Sequence, residues 1–253
     1  YGVPPNLTSL PSHRIQGLKT FDISKNKLRS VGNLATFKEL KTLQCDDNRL
    51  PAGSLACVSK LTKLKTLKAG GNLLGKPVIQ ENIQKQPAAL PALPPSLKHL
   101  SLDRNFFSSV PMVVLSNSLK GLEKLDLSGN NLATLPKEVA NLVGLNELTL
   151  DQNMLVLMPE TIGNLSKLKT LSLKQNKLKV QSTNFTATNP QPLPASLFES
   201  TPLINLNLHG NPMTSTQLNE FEGFKTFLER REKVKTKDLY GGAMTNFDVC
   251  GLD

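Results

Sequence analysis

The side chains that most often perform catalysis are sparse in this sequence of 253 residues. Its three histidines are His13, His99 and His209, and the last two fall on the same expected face of a repeated pattern, four repeats apart. At the spacing of parallel strands this separation is about 20 Å, and neither histidine has a nucleophile at a matching position, as a catalytic triad would need. Phosphate-binding loops, dinucleotide-binding glycine motifs and Cys/His metal-ligand spacings do not occur in the sequence. We therefore expect no catalytic residue, no resident metal and no cofactor.

Carboxylates form the more suggestive group. Asp103, Asp126 and Asp151 lie on three successive repeats, close to Glu123 and Glu147. Such a group could hold a hard cation, because calcium and magnesium prefer oxygen ligands. An exposed acidic row more often offers a polar face to lysines and arginines of a partner protein. We favour this second interpretation.

The elements that carry these residues belong to a repeat. The phrase, or motif, L-x-x-L-x-L-x-x-N-x-L occurs three times from Leu122 to Leu178, with a fixed step of 23 residues between its asparagines. A fixed step of this size is typical of a solenoid, in which each coil is stable only when it is stacked on its neighbours. Repeats begin at Leu18, Leu40, Leu64, Leu97, Leu122, Leu145, Leu168 and Leu203.

Apolar and polar residues alternate within the phrase. Leu125 and Leu127 alternate with Asp126 and Ser128, which predicts a short parallel strand with one buried face. Asn130 then ends the strand, where the chain turns. A buried turn leaves backbone groups without partners, and an asparagine amide can both donate and accept hydrogen bonds. We therefore predict a column of asparagines that satisfies the turn in every repeat.

The phrase resembles that of the leucine-rich repeats. Its continuation L-P-x-x-[VI]-x-x-L, seen at 135–142 and again with Met158 at 158–165, resembles the Ras-group type of intracellular repeat. The resemblance implies an α/β solenoid with a curved parallel sheet on the concave side and an irregular or short helical convex side. The run NEFEGFKTFLERREKVKTK is similar to the C-terminal segment of small members of the family, in which a helix closes the array.

Three parts are predicted along the chain. Residues 1–213 form the repeat array, which opens within a partial repeat and carries proline-rich insertions within 73–96 and 179–202. We expect both insertions to be extended or irregular, because proline disrupts helices and central strands. They are either surface excursions without a function or loops that bind a partner. Residues 214–237 should form one capping helix that starts at a capping box of Thr214 and Gln217. The tail, 238–253, either folds back on the cap, which we favour, or is a docking peptide.

Two sets of residues are candidates for binding a partner. The first is a set of polar residues expected on the concave side, and the second is a basic stripe just after the first leucine of several repeats. The stripe is interpreted either as a solubilising edge, which is the commoner case, or as an electrostatic track for an acidic protein. The concave set is Asp22, Gln44, Asp46, Lys68, Arg104, Asp126, Asp151, Gln152 and Lys174, and the basic stripe is Lys19, Lys41, Lys65, Lys98 and Lys169.

The formal net charge of +10 favours a partner with an acidic surface. The expected concave side has no aromatic row, so single-stranded nucleic acid is a poor candidate. No apolar run is long enough to span a bilayer, and cysteines do not cluster at either end, which favours a reducing, cytoplasmic compartment. Nothing in the pattern predicts self-association.

The sequence therefore predicts a non-enzymatic scaffold or adaptor that binds a protein through its concave face. The alternative is a structural subunit of a large assembly, cytoskeletal or axonemal, that is held by its tail, its loops and its basic stripe. An enzymatic or nucleic-acid-binding role is a more distant alternative. The chain begins within a repeat, so we expect residues upstream of Tyr1.

Overall fold

The computed structural model describes residues 17–32, 34–76, 90–182, 185–186, 190–239 and 250–252. Within these ranges eight short strands form one parallel sheet whose strand order follows the chain. The strands are β1 (Thr20–Asp22), β2 (Thr42–Gln44), β3 (Thr66–Lys68), β4 (His99–Ser101), β5 (Lys124–Asp126), β6 (Glu147–Thr149), β7 (Thr170–Ser172) and β8 (Asn205–Asn207). Each strand is the centre of one repeat, which confirms the predicted solenoid.

Equivalent residues of neighbouring repeats pair directly. In β5 and β6, Leu125 is opposite Leu148 and Lys124 is opposite Glu147. Successive side chains of a strand point to opposite faces, so the central residue faces the core while the first and third residues line the other face, called the concave face below. The central leucines are all buried, and they are Leu43, Leu67, Leu100, Leu125, Leu148, Leu171 and Leu206.

Short helices return the chain along the opposite, convex side. Helices of the 3-10 type span Ala52–Lys60, Asn117–Leu119, Lys137–Asn141 and Glu160–Asn164. Prolines precede three of them, where a missing N–H and a fixed φ cost the helix nothing. This agrees with the expected irregular or short helical convex side.

The second proline-rich insertion contains a helix that the sequence analysis did not predict. Helix α1 (Ala195–Ser200) begins directly after Pro194 and buries Leu197 and Phe198. Proline is tolerated here because it stands before the first turn, where no helical hydrogen bond requires its nitrogen. The expectation of an extended or irregular segment is therefore wrong for this stretch. Most of the first insertion, residues 77–89, lies outside the described residues.

The predicted asparagine column is present. Asn153 accepts a hydrogen bond from the N–H of Leu132 at 3.0 Å and donates to the carbonyls of Leu127 and Leu150, both at 3.0 Å. One amide thus joins the turn of its own repeat to the repeat before it. Equivalent bonds to the preceding repeat are made by Asn48, Asn72, Asn105, Asn130, Asn176 and Asn211.

The residue before each asparagine has a left-handed backbone. Its φ is +52° at Asp47, +62° at Gly71 and +49° at Arg104. This conformation closes the turn and is unfavourable for residues other than glycine. These positions form a continuous row, called the turn edge below, of Lys25, Asp47, Gly71, Arg104, Gly129, Gln152, Gln175 and Gly210.

Two helices close the C-terminal end, where the sequence analysis predicts one over 214–237. Helix α2 (Ser215–Asn219) begins with the predicted capping box, in which Thr214 and Gln217 exchange side-chain and backbone bonds. Helix α3 (Phe224–Leu239) follows after a break at Gly223, whose φ is +79°. Phe224 lies buried against Phe198 of α1, with ring centroids 5.4 Å apart. The break turns α3 so that its aromatic side packs on the last coil.

The end of the tail returns to the array. The carbonyl of Cys250 accepts a hydrogen bond from the N–H of Leu208 at 2.7 Å, next to β8. The Cys250 side chain is buried and Leu252 packs against the core. This contact occupies the place that a further strand would take, and it supports the fold-back interpretation for residues 250–252. Residues 240–249 lie outside the described part of the chain.

Candidate protein-binding surface

The concave face is polar along its whole length. Each strand contributes its first and third residues, and the register aligns these residues in columns across the sheet. At its centre a depression of about 210 Å³ lies over β3 to β6. Lys68, His99, Lys124, Asp126 and Glu147 line it, so cationic and anionic groups face the same space. Such a mixed depression suits a partner that brings both charges and hydrogen-bonding groups.

One ion pair already spans this depression. Lys124 and Glu147, opposite each other on β5 and β6, are 2.6 Å apart between Nζ and Oε2. Lys68, which lies on β3, is exposed. A partner carboxylate could therefore approach Lys68 without first separating the Lys124 pair.

Asp126 is one of the predicted site residues whose ionisation the fold perturbs. Its carboxylate accepts hydrogen bonds from the N–H and the hydroxyl of Ser128, at 2.9 and 2.6 Å. Burial raises the pKa of Asp126, the bonds from Ser128 oppose this shift, and the charges of Asp103 and Asp151 add to it. A half-buried carboxylate of this kind would gain from a cationic group supplied by a partner.

Asp46 stands in a similar position near the turn edge. Its Oδ1 accepts a hydrogen bond from the N–H of Gly70 at 2.8 Å. Burial raises the pKa of Asp46 even though the bond from Gly70 lowers it, and Asp103 raises it further. By contrast, Asp22 on β1 is exposed, and the N–H of Ser24 lowers its pKa.

Arg104 and Gln152 lie on the turn edge rather than within a strand. Arg104 contacts Asp103 at 2.9 Å and Asp47 at 3.3 Å, and Gln152 donates to Gln175 at 2.8 Å. The structure thus brings Asp46, Asp103 and Arg104 together in one charged group. Asp47 was missed in the sequence analysis, because only the left-handed turn reveals that its side chain reaches this group.

At the far end of the concave set, Asp151 and Lys174 contact each other more loosely. Asp151 accepts a hydrogen bond from the N–H of Lys174 at 2.8 Å, and its other oxygen lies 3.9 Å from Nζ of Lys174. Gln44 lies half-buried on β2. The predicted concave residues therefore extend over β1 to β7 and do not converge on one point, which suits an extended contact.

The basic stripe forms an edge at the start of the strands, called the lysine edge below. Backbone hydrogen bonds of 2.8 Å link Lys41 to Lys19, Lys65 to Lys41, and Lys98 to Lys65. These four residues are thus adjacent on successive repeats. Lys169 is separated from them, because the two intervening repeats have Glu123 and Asn146 at this position. The continuous part of the stripe therefore contains four of the five predicted lysines.

Metal binding finds no support in the part of the chain that the structure describes. No group of three or more His, Cys, Asp or Glu side chains there is placed to hold a metal ion. Asp103, Asp126 and Asp151 each bond to their own neighbours, namely Arg104, Ser128 and Lys174. Among the same residues, no helix has both the length and the apolar character needed to cross a bilayer.

Comparison with known proteins agrees with this architecture. The family model described as leucine rich repeat matches residues 95–155. Internalin C2 of Listeria monocytogenes is 23% identical with a TM-score of 0.61, over 85% of this chain and 81% of the internalin chain. A leucine-rich-repeat protein of Leptospira interrogans is 24% identical with a TM-score of 0.49, over 93% of this chain and 62% of the other.

The stacked strands, the asparagine column and the match of residues 95–155 to the family model define the class of fold. The chain has the leucine-rich-repeat fold, and its central repeats match the leucine-rich-repeat family. The Ras-group subtype, which rests on the L-P-x-x-[VI]-x-x-L phrases, stays a prediction.

Proposed function

We propose that this protein is a non-enzymatic scaffold or adaptor that binds a protein partner through its concave face. Leucine-rich-repeat proteins commonly serve in protein–protein interaction, and the class is generally non-enzymatic. The observation that carries the proposal is the concave face itself, where exposed Lys68 lines the same depression as half-buried Asp126 and its charge acts on half-buried Asp46. Fixed charges of both signs on a rigid sheet favour selective association, because a wrong partner places like charges together.

The contact set of the proposal is Asp22, Gln44, Asp46, Lys68, Arg104, Asp126, Asp151, Gln152 and Lys174. Asp46, Asp126 and Asp151 are held by hydrogen bonds before a partner arrives, so less conformational entropy is lost when they bind. An acidic surface on the partner is proposed from the net charge of +10 and from the lysine edge. A cytoplasmic location is part of the same proposal, and it rests on the free cysteines Cys45, Cys57 and Cys250.

Affinity capture from native extract tests this proposal. The bait is the intact protein or a variant with Asp126→Arg and Asp151→Arg, which reverses two concave charges. A matched control carries Glu199→Arg and Glu229→Arg, the same charge change at exposed positions on α1 and α3. We expect a partner that is lost with the concave variant and kept with the control.

A second concave variant guards against misfolding, because Asp126 is half-buried. Lys68→Glu changes an exposed residue and should weaken capture of the same partner. Thermal melting of each bait verifies the fold before capture. Retention of every partner by both concave variants would count against the concave face.

The alternative function, a structural subunit of a cytoskeletal, ciliary or axonemal assembly, has one observation in its favour. Lys19, Lys41, Lys65 and Lys98 stack on consecutive repeats outside the concave face. Capture that survives the concave variants but disappears at high salt would favour this alternative, because exposed charges more than a Debye length apart are screened.

A further inference from the structure

A groove of about 560 Å³ opens on the lysine edge, outside the concave face, beside the repeats of β4 to β7. Three lysines line it, Lys98, Lys120 and Lys167, together with one carboxylate, Glu123, and one apolar side chain, Val143. Val143 is 44% exposed, whereas most valines among the described residues are buried, with Val156 as a second exposed valine. The groove therefore combines excess positive charge with an apolar contact point.

Two glycines also line the groove and leave its space open. A Cβ at Gly144 would lie 2.6 Å from the carbonyl oxygen of Lys120, so glycine is required there by packing. A Cβ at Gly121 would have only Nζ of Lys98 nearby, at 3.7 Å. A larger residue would therefore be accommodated at position 121, where it would enter the groove directly in front of the Lys98 ammonium.

The charges inside the groove are only partly paired. Nζ of Lys98 lies 2.9 Å from Oε1 of Glu123 and donates to the carbonyl of Gly121 at 3.1 Å. The hydrogen bond and charge of Lys98 lower the pKa of Glu123, so this carboxylate is ionised at neutral pH. Lys120 and Lys167 are exposed, and the lining therefore carries three cations against one anion.

We propose that this groove is a second binding site, which takes an acidic peptide segment of a partner protein. A carboxylate of the segment lies among Lys98, Lys120 and Lys167, and a neighbouring aliphatic side chain contacts Val143. Further acidic residues of the segment face Lys65, which is adjacent to Lys98 on the lysine edge. The site is separate from the proposed concave face, so either proposal can fail without the other.

A peptide fits these features better than a phosphate polymer or a lipid headgroup. Glu123 stands within the groove and repels any nearby anion, so it disfavours the closely and regularly spaced charges of a nucleic-acid backbone more than a peptide whose carboxylates can be spaced to avoid it. Val143 offers contact to an aliphatic side chain, which phosphates lack. A lysine ammonium is a compact point charge that can donate to single carboxylates at several angles, whereas bidentate phosphate recognition favours arginine.

The test uses the whole protein and a fluorescent peptide of alternating glutamate and leucine, with binding followed by anisotropy at low salt. Gly121→Glu places a carboxylate where the peptide carboxylate would bind. Gly53→Glu is the matched control, since Gly53 is exposed and a Cβ there has no neighbour within 4 Å. We expect Gly121→Glu to weaken binding about tenfold or more and Gly53→Glu to leave it within about twofold.

Two further variants make the result decisive. Lys120→Gln with Lys167→Gln should weaken the peptide to a similar extent, while the concave pair Asp126→Arg and Asp151→Arg should leave peptide binding in place. Equal binding by Gly121→Glu and the unchanged protein would overturn the proposal, as would an equal loss in Gly53→Glu. Binding to vesicles that contain phosphatidylinositol phosphate, with no peptide binding, would also overturn it and assign the groove to lipid.

Discussion

Arg104 and Asp47 form an ion pair, with 3.3 Å between Nη2 and Oδ1, although a whole repeat lies between their own two repeats. Asp47 lies on the turn edge of the second repeat and Arg104 on that of the fourth. The repeat between them has Gly71 at the same position, where a Cβ would overlap the Asp47 carboxylate. The absence of a side chain at Gly71 thus opens the path by which the two residues meet, and the pair links the second and fourth repeats past the third, at the charged end of the concave set.

Gly71→Ala should destabilise the protein by more than about 1 kcal/mol. Alanine is disfavoured at a φ of +62°, and its methyl group would displace the Asp47 carboxylate. Arg104→Ala should cost less than about 1 kcal/mol, because both partners are well exposed to solvent. Urea unfolding measures both changes. Gly53→Ala is the control, and a Gly71→Ala variant as stable as this control would show that the turn geometry is not required.

Asn153→Ala should lower the free energy of unfolding by about 1–3 kcal/mol, because buried backbone groups lose their partner. The lost bonds join Leu132, Leu127 and Leu150 through one amide. Asn131→Ala is a suitable control at an exposed position of the neighbouring repeat. An Asn153→Ala variant that melts at the same temperature as the Asn131→Ala control would refute the stabilising role of the column.

Asp126→Asn should gain stability relative to the unchanged protein as pH rises. Burial raises the pKa of Asp126 in the folded chain. As pH falls, the folded state therefore protonates this carboxylate at a higher pH than the unfolded state does. The unchanged protein therefore loses stability as pH rises from the unfolded pKa to the folded one, and asparagine has no such loss. Unfolding free energies at about pH 4 and about pH 7 measure this difference. A difference between the two proteins that is constant with pH would contradict the perturbed carboxylate.

Thiol labelling should separate the three cysteines. Burial raises the pKa of Cys250 to about 11 and raises that of Cys45 as well, whereas Cys57 is only partly buried. Thiolates are the reactive form, so a maleimide at neutral pH should label Cys57 first and reach the other two only after unfolding. Mass spectrometry of digested protein identifies the labelled sites. Cys250 labelled as fast as Cys57 would show that the tail end does not stay packed beside β8.

The stacked parts of this fold are predictable because they repeat. The period of two around Leu125 and the asparagine at Asn130 recur in eight repeats, so chance agreement at one position is corrected by the others. The eight predicted repeat starts, from Leu18 to Leu203, therefore place every strand of the described sheet in the correct repeat.

Features that occur once were not predictable in the same way. The break at Gly223 interrupts an aromatic spacing that is otherwise helical, and helix α1 begins behind Pro194 in a segment whose prolines indicated an irregular loop. In both places tertiary contacts with Phe198 decide the local structure. The pair of Arg104 and Asp47, and the groove that Gly121 leaves open, depend on missing side chains in neighbouring repeats, which no local pattern records.

Site-specific photo-crosslinking tests the central claim, that the concave face binds a partner, most directly. A photoreactive amino acid replaces Lys68 on the concave face or, as the control, Met112 on the convex side, where the side chain is 58% exposed. Irradiation of the protein with its captured partner should crosslink the partner from position 68 and not from position 112. Crosslinks from position 112 alone would place the partner on the convex side and contradict the proposed function.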